Sequence, residues 1–144
     1  MCLSKLIRKD SKRLWRVPTN EDWDTLVNYL IANGYNWDGT TSGNKIAKSI
    51  AAKTDWDGSS VNGAIGNDLG KNNASGFSAL PGGFRTERGF FFGSKYWFGS
   101  WWSATESNVT AAPHLILSRT KSSAERYNDW KKIGSSLRLV RDVN

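Results

Sequence analysis

Cysteine is nearly absent from this sequence, since Cys2 is the only one in 144 residues. A single thiol excludes an intramolecular disulfide, a thiolate zinc cage and a pair of redox cysteines. Long apolar runs are missing too, because no stretch approaches the roughly 20 residues that a membrane-spanning helix needs. The N-terminus also lacks the apolar region and small-residue cleavage site of a secretory signal. We therefore expect the chain as given to have neither a membrane span nor an export signal.

Proline is scarce as well, with three residues against fourteen glycines, which is typical of a fold rich in loops and glycine turns. Aromatic residues are abundant in contrast, with eight Trp, six Phe and four Tyr. A core of this size needs fewer, so we expect part of the aromatic surface to be exposed for contact. Length and composition predict one domain.

The net charge of +7 raises the question of nucleic-acid binding. Only the N-terminal segment is a basic cluster, formed by Lys5, Arg8, Lys9, Lys12, Arg13 and Arg16. The remaining positive charge is scattered, and no helix-turn-helix, zinc-finger or ribonucleoprotein motif accompanies it. We interpret residues 1–14 as a basic lead-in that need not be ordered, before a domain at 15–144, and we do not expect nucleic acid as a partner.

Two helices are predicted in the first half of the domain. Thr19 is a suitable N-cap with Asp22 at the capping-box position, and Gly34 lies where a left-handed residue ends a helix. Apolar residues follow at helical spacing, namely Trp23, Leu26, Val27 and Leu30. A second helix is predicted at about 44–53, with an apolar face of Ile46, Ala47, Ile50 and Ala51 and with Lys45, Lys48 and Lys53 around the rest.

Short strands separated by loops are predicted for the second half. Residues 54–73 form a long irregular loop with Trp56, Val61, Ile65 and Leu69 as apolar anchors. A buried strand at 76–85 is broken by the turn at Pro81. Further strands are predicted at 90–92, 96–98, 101–105, 114–118 and 137–141. Helices followed by strands predict the α+β class.

Four segments in order carry a resemblance to a known family. They are residues 15–19 (WRVPT) with 21–23 (EDW), 76–85 (GFSALPGGFR), 101–106 (WWSATE) and 137–142 (LRLVRD). Together they resemble the Fibrobacter succinogenes major paralogous domain, which is related to C-type-lectin-like folds. Relatives of that fold include formylglycine-generating enzymes and the variable proteins of diversity-generating retroelements. The resemblance implies a C-type-lectin-like α+β fold, with two helices packed on a small twisted antiparallel sheet and long loops forming a binding face.

The sequence departs from that family in two places. Many members have an additional N-terminal portion with its own Trp-rich motif, which this sequence does not show. Many also have cysteines before the first motif and in the last strand, where this chain has Leu139. The usual argument for an oxidising compartment is therefore missing.

No residue pattern predicts catalysis or a metal centre. The only histidine, His114, is expected to be exposed at the end of a strand, with no serine in a nucleophile context nearby. Asp55, Asp57 and Asp68 lie in loop sequence where turn-forming Asx residues are common, so glycosidase chemistry is only an alternative. The formylglycine-generating enzymes use active-site cysteines, so that activity does not carry over. We expect no enzyme activity and no cofactor.

A calcium site is a second alternative, because C-type lectins coordinate Ca²⁺ through a Trp-Asn-Asp motif before the last strand. This chain has Tyr127, Asn128 and Asp129 in a similar place, but it lacks the Glu-Pro-Asn partner. Lys131 and Lys132 follow directly, and too few oxygen ligands are present for a hard cation. We therefore predict no metal.

The remaining aromatic and polar residues are candidates for ligand contact. The family-motif residues Trp23, Phe77, Phe84, Trp101 and Trp102 are predicted to lie in the core. Strand alternation directs Leu115 and Leu117 inward and leaves His114, Ile116 and Ser118 outward. The predicted contact residues are Phe90, Phe92, Lys95, Tyr96, Trp97, Phe98, His114, Ile116, Ser118, Arg119, Lys121, Glu125, Arg126, Tyr127, Asn128, Asp129 and Trp130. A diversified contact surface has such a composition, and so does an unselected surface loop.

These observations predict a non-enzymatic ligand-binding module. The resemblance implies a surface or attachment protein of the retroelement variable type, from a bacterium or phage, at a cell surface, outside the cell or on a virion. The alternative is a bacterial surface lipoprotein domain that binds glycan. A protein partner is favoured over glycan because the calcium needed for metal-bridged sugar binding is not supported. Nucleic acid comes third.

Overall fold

The computed structural model describes residues 14–92 and 96–141, with an α+β fold. Helix α1 spans Asn20–Ala32 and helix α2 is a single turn, Ala47–Ile50. A 3-10 turn covers Leu69–Lys71. In these described ranges no helix is long and apolar enough to cross a membrane. The basic residues of the lead-in up to Arg13, and the end of the chain after Arg141, lie outside the described residues.

Helix α1 begins at the predicted capping box. The Asp22 backbone N–H donates to Thr19 Oγ1 over 3.2 Å, and the Thr19 N–H donates to Asp22 Oδ2 over 2.7 Å. The Arg16 guanidinium also pairs with Asp22, and this hydrogen bond holds the pKa of the Asp22 carboxyl well below its usual range. Gly34 follows the helix with a φ of 76°, as predicted for a left-handed terminator.

The second helix is much shorter than the predicted 44–53. The chain turns extended at Ala51, where it forms a parallel bridge to Ala79. The Ala52 N–H donates to Ala79 O over 2.8 Å, and the Ala79 N–H donates to Ile50 O over 2.8 Å. These hydrogen bonds to Ala79 take the place of the backbone hydrogen bonds that α2 would make if it continued beyond Ile50.

Lys48 is buried, so the prediction that it lies on a polar helix face is wrong. Its ammonium donates to Asp68 O over 2.9 Å and to Asn72 Oδ1 over 2.9 Å, and it also reaches the carbonyls of Ala64, Ile65 and Asn67. A buried cation needs such partners, because an unpaired charge is costly in the interior. We call this arrangement the Lys48 cage, and it fixes the 64–72 segment to α2.

Within residues 14–92 and 96–141, five strands form two antiparallel sheets. Strands β1 (Phe84–Arg85) and β2 (Phe91–Phe92) pair as a hairpin. Strands β3 (Phe98–Trp102), β4 (Ala111–Ser118) and β5 (Glu125–Trp130) form a sheet in the order β3-β4-β5.

Several predicted strand bounds are wrong. One strand, β3 at Phe98–Trp102, stands in place of the predicted strands 96–98 and 101–105. It passes through Gly99, where a side chain would meet the Trp101 ring and Leu80 O. Strand β4 begins three residues earlier than predicted, and β5 was not predicted. Residues 137–141 form no strand, since the chain beyond Ser136 makes only a two-residue bridge in which Val140 pairs with Arg16. That bridge has N···O distances of 2.9 and 2.8 Å.

The core joins both halves of the chain. It contains Trp23, Leu30, Ile46, Ile50, Trp56, Ile65, Trp101, Leu115 and Leu117. Trp23 and Trp101 are buried as predicted, whereas Phe77, Phe84 and Trp102 are half-buried. The prediction that Val61 is an apolar anchor of the 54–73 loop is wrong, because its side chain is exposed. The core packs against the side of the β3-β4-β5 sheet that carries Trp101, Leu115 and Leu117.

The connection between β4 and β5 is held by the first half of the chain. The Ala47 N–H donates to Ser122 O over 2.9 Å, and the Gly66 N–H donates to Arg119 O over 2.8 Å. The Asn44 side chain adds a hydrogen bond to Ala124 O over 2.7 Å. The loops therefore fix the position of β5 beside β4.

Candidate ligand-binding groove

Strand register separates the β3-β4-β5 sheet into two faces. Leu115 and Leu117 are buried in the core, as the alternation predicts. Residues directly opposite in an antiparallel pair lie on the same face. His114 lies opposite Trp102 on β3 and Tyr127 on β5, and Ile116 lies opposite Ser100 on β3 and Glu125 on β5. These residues therefore share the other face of the sheet, which we call the outer face.

A groove of about 450 Å³ lies on the outer face, and we call it the outer groove. It is lined by Phe84, Phe98, His114, Ile116, Ser118, Thr120, Lys121, Glu125, Tyr127, Asn128 and Asp129. Nine of these are predicted contact residues, so the sheet register brings together positions that lie far apart in the sequence.

His114 lies in the floor of the outer groove, and the prediction that it is exposed at a strand end is wrong. Strand β4 begins at Ala111, so His114 lies inside the strand rather than at its end, and its side chain is buried. The imidazole packs beside the Trp102 ring at a centroid distance of 5.4 Å. Burial lowers the pKa of His114, against a smaller opposing effect of Asp129.

Two polar groups approach the His114 ring. Ser100 Oγ lies 2.8 Å from Nδ1 and 2.9 Å from Ser135 Oγ. On the other side, Nε2 lies 3.9 Å from Asp129 Oδ2. Ser100, His114 and Asp129 are the residue types of a hydrolase triad, but Ser100 is 0% exposed. A substrate carbonyl cannot reach this serine in the folded sheet, so the arrangement lacks an accessible nucleophile.

The wall of the groove formed by β5 has fixed charges. Tyr127 donates its hydroxyl to Glu125 Oε2 over 2.7 Å, and Ser123 donates to Glu125 Oε1 over 3.0 Å. The hydrogen bond from Tyr127 is the largest of the effects that lower the pKa of Glu125, and it raises the pKa of Tyr127. Lys121 Nζ lies 3.5 Å from the same carboxylate. Glu125 is therefore ionised at neutral pH. Its carboxylate holds the Tyr127 hydroxyl in place, although Tyr127 is 51% exposed.

Trp97 and Arg119 form a separate cluster. The Arg119 guanidinium carbon lies 4.5 Å from the Trp97 ring centroid, and Trp97 Nε1 donates to Asp57 Oδ2 over 2.6 Å. Arg119 also donates to Gly58 O. These two predicted contact residues therefore pack on the 54–73 loop rather than line the outer groove.

The predicted contact residues Tyr96, Trp97, Tyr127 and Trp130 do not lie on one surface. Register places Arg126 and Trp130 on the opposite side of β5 from Tyr127, and Arg126 pairs with Asp24 of α1. Tyr96 lines a separate apolar pocket of about 660 Å³ with Leu80, Pro81 and Phe91, among other residues.

Three further contact predictions lie elsewhere or cannot be placed. Phe90 is exposed at the β1–β2 hairpin. Lys95 lies outside the described residues, as does the side chain of Phe92.

The calcium alternative gains no support from the described geometry. Asn128 Oδ1 accepts from Ser107 Oγ over 2.7 Å, and Asp129 Oδ1 accepts from the Trp130 N–H over 2.9 Å. Across residues 14–92 and 96–141, no three His, Cys, Asp or Glu side chains group as metal ligands.

The comparison with protein families identifies the chain. Residues 13–141 match the Fibrobacter succinogenes major domain, so this chain belongs to that family. No curated protein and no solved structure matches the chain.

Proposed function

We propose that this protein is a non-enzymatic ligand-binding module that holds a protein partner in the outer groove. The proposal rests on one observation, that the outer face gathers predicted contact residues from three strands around a half-exposed tyrosine. Tyrosine gives a large contact area with little loss of side-chain entropy, which is why binding surfaces favour it. A C-type-lectin-like scaffold, as the resemblance implies, is part of the proposal.

The fixed geometry of the groove supports binding rather than turnover. Glu125 accepts a hydrogen bond from Tyr127 and lies 3.5 Å from Lys121, and Ser100, which lies beside His114, is buried. The hydrogen bonds that hold the β4–β5 connection limit the entropy lost when a partner binds.

The biological setting that we propose is a diversified surface or attachment protein, at a cell surface, outside the cell or on a virion. Glu125 and Tyr127 belong to an edge strand, so substitutions there change the contact surface without entering the core. The neighbouring DNA tests this setting. A reverse-transcriptase gene with a near-identical repeat that differs at adenines is expected, and the absence of both would contradict the retroelement origin. A surface lipoprotein domain that binds glycan is the alternative.

Position-specific photo-crosslinking tests the groove itself. Residues 127 and 130 lie on opposite faces of the same strand, and both are about half exposed, at 51% and 57%. A photoreactive amino acid at 127 is expected to crosslink the protein partner, and the same amino acid at 130 is the matched control. Equal crosslinking from both positions would contradict the proposal.

Affinity measurements with the crosslinked partner, once purified, complete the test. Tyr127→Ala is expected to weaken binding by about 30-fold, the effect of losing an interface hot spot of roughly 2 kcal/mol. Trp130→Ala is expected to bind within about twofold of the unaltered protein. Specific binding on a glycan array that Tyr127→Ala abolishes would favour the glycan alternative. Turnover of an ester, glycoside or thiol substrate that His114→Ala abolishes would show an enzyme instead.

A further inference from the structure

A second cavity, of about 540 Å³, shares no lining residue with the outer groove. It is formed by the 33–37 segment after α1, by Lys48 and Ser49 of α2, and by residues of the 62–74 segment, and we call it the loop cavity. Asn33 and Asn62, one from each loop, are exposed, so a ligand can reach the cavity directly from solvent. Its volume is that of a site for a small ligand or for one part of a larger ligand.

Trp37 provides a fixed aromatic surface in the loop cavity. A Cβ atom on Gly63 would lie 2.2 Å from Cε2, 2.3 Å from Nε1 and 2.6 Å from Cδ2 of the indole. Such short distances to three adjoining ring atoms place Gly63 over one face of the ring, where only a glycine leaves room. Trp37 is nevertheless 41% exposed, and its Nε1–H makes no hydrogen bond with the residues that the structure describes. It therefore offers an apolar ring surface and an unused donor.

Three asparagine side chains of the loop cavity have hydrogen-bonding capacity to spare. The amides of Asn62 and Asn67 make no hydrogen bond within residues 14–92 and 96–141. Asn33 uses Nδ2 to donate to Tyr29 O over 2.8 Å, which leaves its Oδ1 to accept. An amide donates through its nitrogen and accepts through its oxygen, so it matches a ligand whose groups also do both, as hydroxyl groups do.

The charged residues of the loop cavity already have partners. Lys48 donates to Asp68 O and Asn72 Oδ1, each over 2.9 Å, within the Lys48 cage. Lys71 Nζ lies 3.2 Å from Asp68 Oδ2. Among the described residues that line the cavity there is no carboxylate. The groups left for a ligand are therefore neutral, which favours a neutral ligand over an anion or a cation.

Both loops are held in place before any ligand binds. The Asn36 side chain is 4% exposed, donates from Nδ2 to Thr40 O over 2.9 Å and accepts from the Lys45 N–H over 2.9 Å. This fixes the 33–37 segment, while the Lys48 cage fixes the 64–72 segment on the other side. A site that is already ordered loses little conformational entropy on binding.

We propose that the loop cavity is a binding site for a neutral saccharide. The apolar C–H face of one sugar ring packs on the exposed part of Trp37, while its hydroxyl groups bond to the amides of Asn33, Asn62 and Asn67. A pyranose ring suits this arrangement because it combines an apolar face with hydroxyls around its edge that each donate and accept. The site is additional to the partner-binding outer groove, and it differs from the glycan alternative for that groove in its residues.

The Trp37 indole N–H gives a direct readout of binding. Its ¹H–¹⁵N cross-peak is assigned by its loss in Trp37→Phe. The probes are four neutral disaccharides, namely maltose, cellobiose, lactose and mannobiose. Sorbitol is the matched control, because it has the hydroxyls of a hexose without the ring. At least one disaccharide is expected to shift the Trp37 cross-peak saturably, and sorbitol is expected to leave it unchanged.

Variants then assign the binding to the loop cavity, with affinity measured by titration calorimetry. Trp37→Ala is expected to weaken binding of the disaccharide at least tenfold, because it removes the stacking surface. Asn62→Ala is expected to weaken it about three- to tenfold, the effect of one lost hydrogen bond. Trp130→Ala and Ser60→Ala are the matched controls, since both residues are exposed outside the cavity, and both are expected to bind normally. The remaining tryptophan cross-peaks report whether each variant is folded.

The possible results separate this site from the outer groove. No shift from any disaccharide, or an equal shift from sorbitol, would overturn the saccharide site. Binding of glucuronic acid instead of the neutral sugars would overturn the assignment to a neutral ligand. Equal losses of binding in Tyr127→Ala and Trp37→Ala would overturn the assignment to the loop cavity. Disaccharide binding without crosslinking from position 127 would refute the proposed function alone, whereas crosslinking without disaccharide binding would refute only the saccharide site.

Discussion

Replacing Lys48 with methionine tests whether the Lys48 cage stabilises the fold. Methionine keeps the length of the side chain but removes the ammonium, so the cage oxygens lose a shared donor. Asn72 is 2% exposed, so water cannot replace the 2.9 Å hydrogen bond that its Oδ1 accepts. A buried acceptor left without a donor costs about 1–3 kcal/mol. The weaker contacts to the carbonyls of Ala64 and Ile65, at 3.3 and 3.5 Å, add to this loss.

We expect Lys48→Met to lower the free energy of unfolding by about 2–4 kcal/mol, since relief of the lysine's desolvation offsets part of the lost hydrogen bonding. Urea unfolding followed by tryptophan fluorescence measures this change. Lys53→Met is the matched control, because Lys53 is exposed at the far end of the same segment. If the two variants unfold within about 0.5 kcal/mol of each other, the cage has no net stabilising role and the reasoning is wrong.

Three more perturbations have defined outcomes. The pKa of His114 is lowered in the folded state, so the unfolded chain takes up a proton at a higher pH than the folded one. The free energy of unfolding is therefore expected to fall as pH drops below about 6.5, and His114→Gln is expected to remove this pH dependence. Thr19→Ala is expected to cost about 1 kcal/mol in thermal unfolding, because it removes half of the capping box. Gly99→Ala is expected to cost about 1–3 kcal/mol, because its methyl group would meet the Trp101 ring.

Controls distinguish these effects from general damage. Carboxylates such as Asp38, whose pKa is lowered to about 2 chiefly by its hydrogen bond from Lys45, contribute stability that is lost as pH falls from about 4 through about 2. A loss confined to that lower range would contradict the role of His114. Gly58→Ala is the control for Gly99, since a methyl group there meets nothing within 4 Å. Thr41→Ala is the control for Thr19, because Thr41 is exposed outside any helix.

Local sequence signals were sufficient where neighbouring residues decide the structure. The capping box at Thr19 and Asp22 and the terminator Gly34 lie within one helix, so their geometry could be predicted directly. The inward positions of Leu115 and Leu117 follow from strand alternation alone. In each case the structure depends on contacts only a few residues apart in the chain.

Local sequence patterns gave wrong or no predictions for residues whose environment is formed by segments distant in the sequence. Lys48 was placed on a polar face because its spacing suggests one, yet its partners come from the 64–72 segment. The sequence predicts that the strand begins at His114, but β4 begins at Ala111, and Pro113 O accepts from the Ser103 N–H of the preceding segment. Ser100 had no motif to mark it, and only the β3–β4 register places it beside the histidine.

The bridge between Arg16 and Val140 brings the two ends of the described domain side by side. A short linker can therefore join them, and the chain can be reopened at the exposed turn 107–110 to give a circular permutant with the same groove. Because the two ends lie close together, the domain can also be inserted into a surface loop of another protein without pushing apart the two residues of that loop to which it is joined. The outer groove would then be displayed at the tip of that loop.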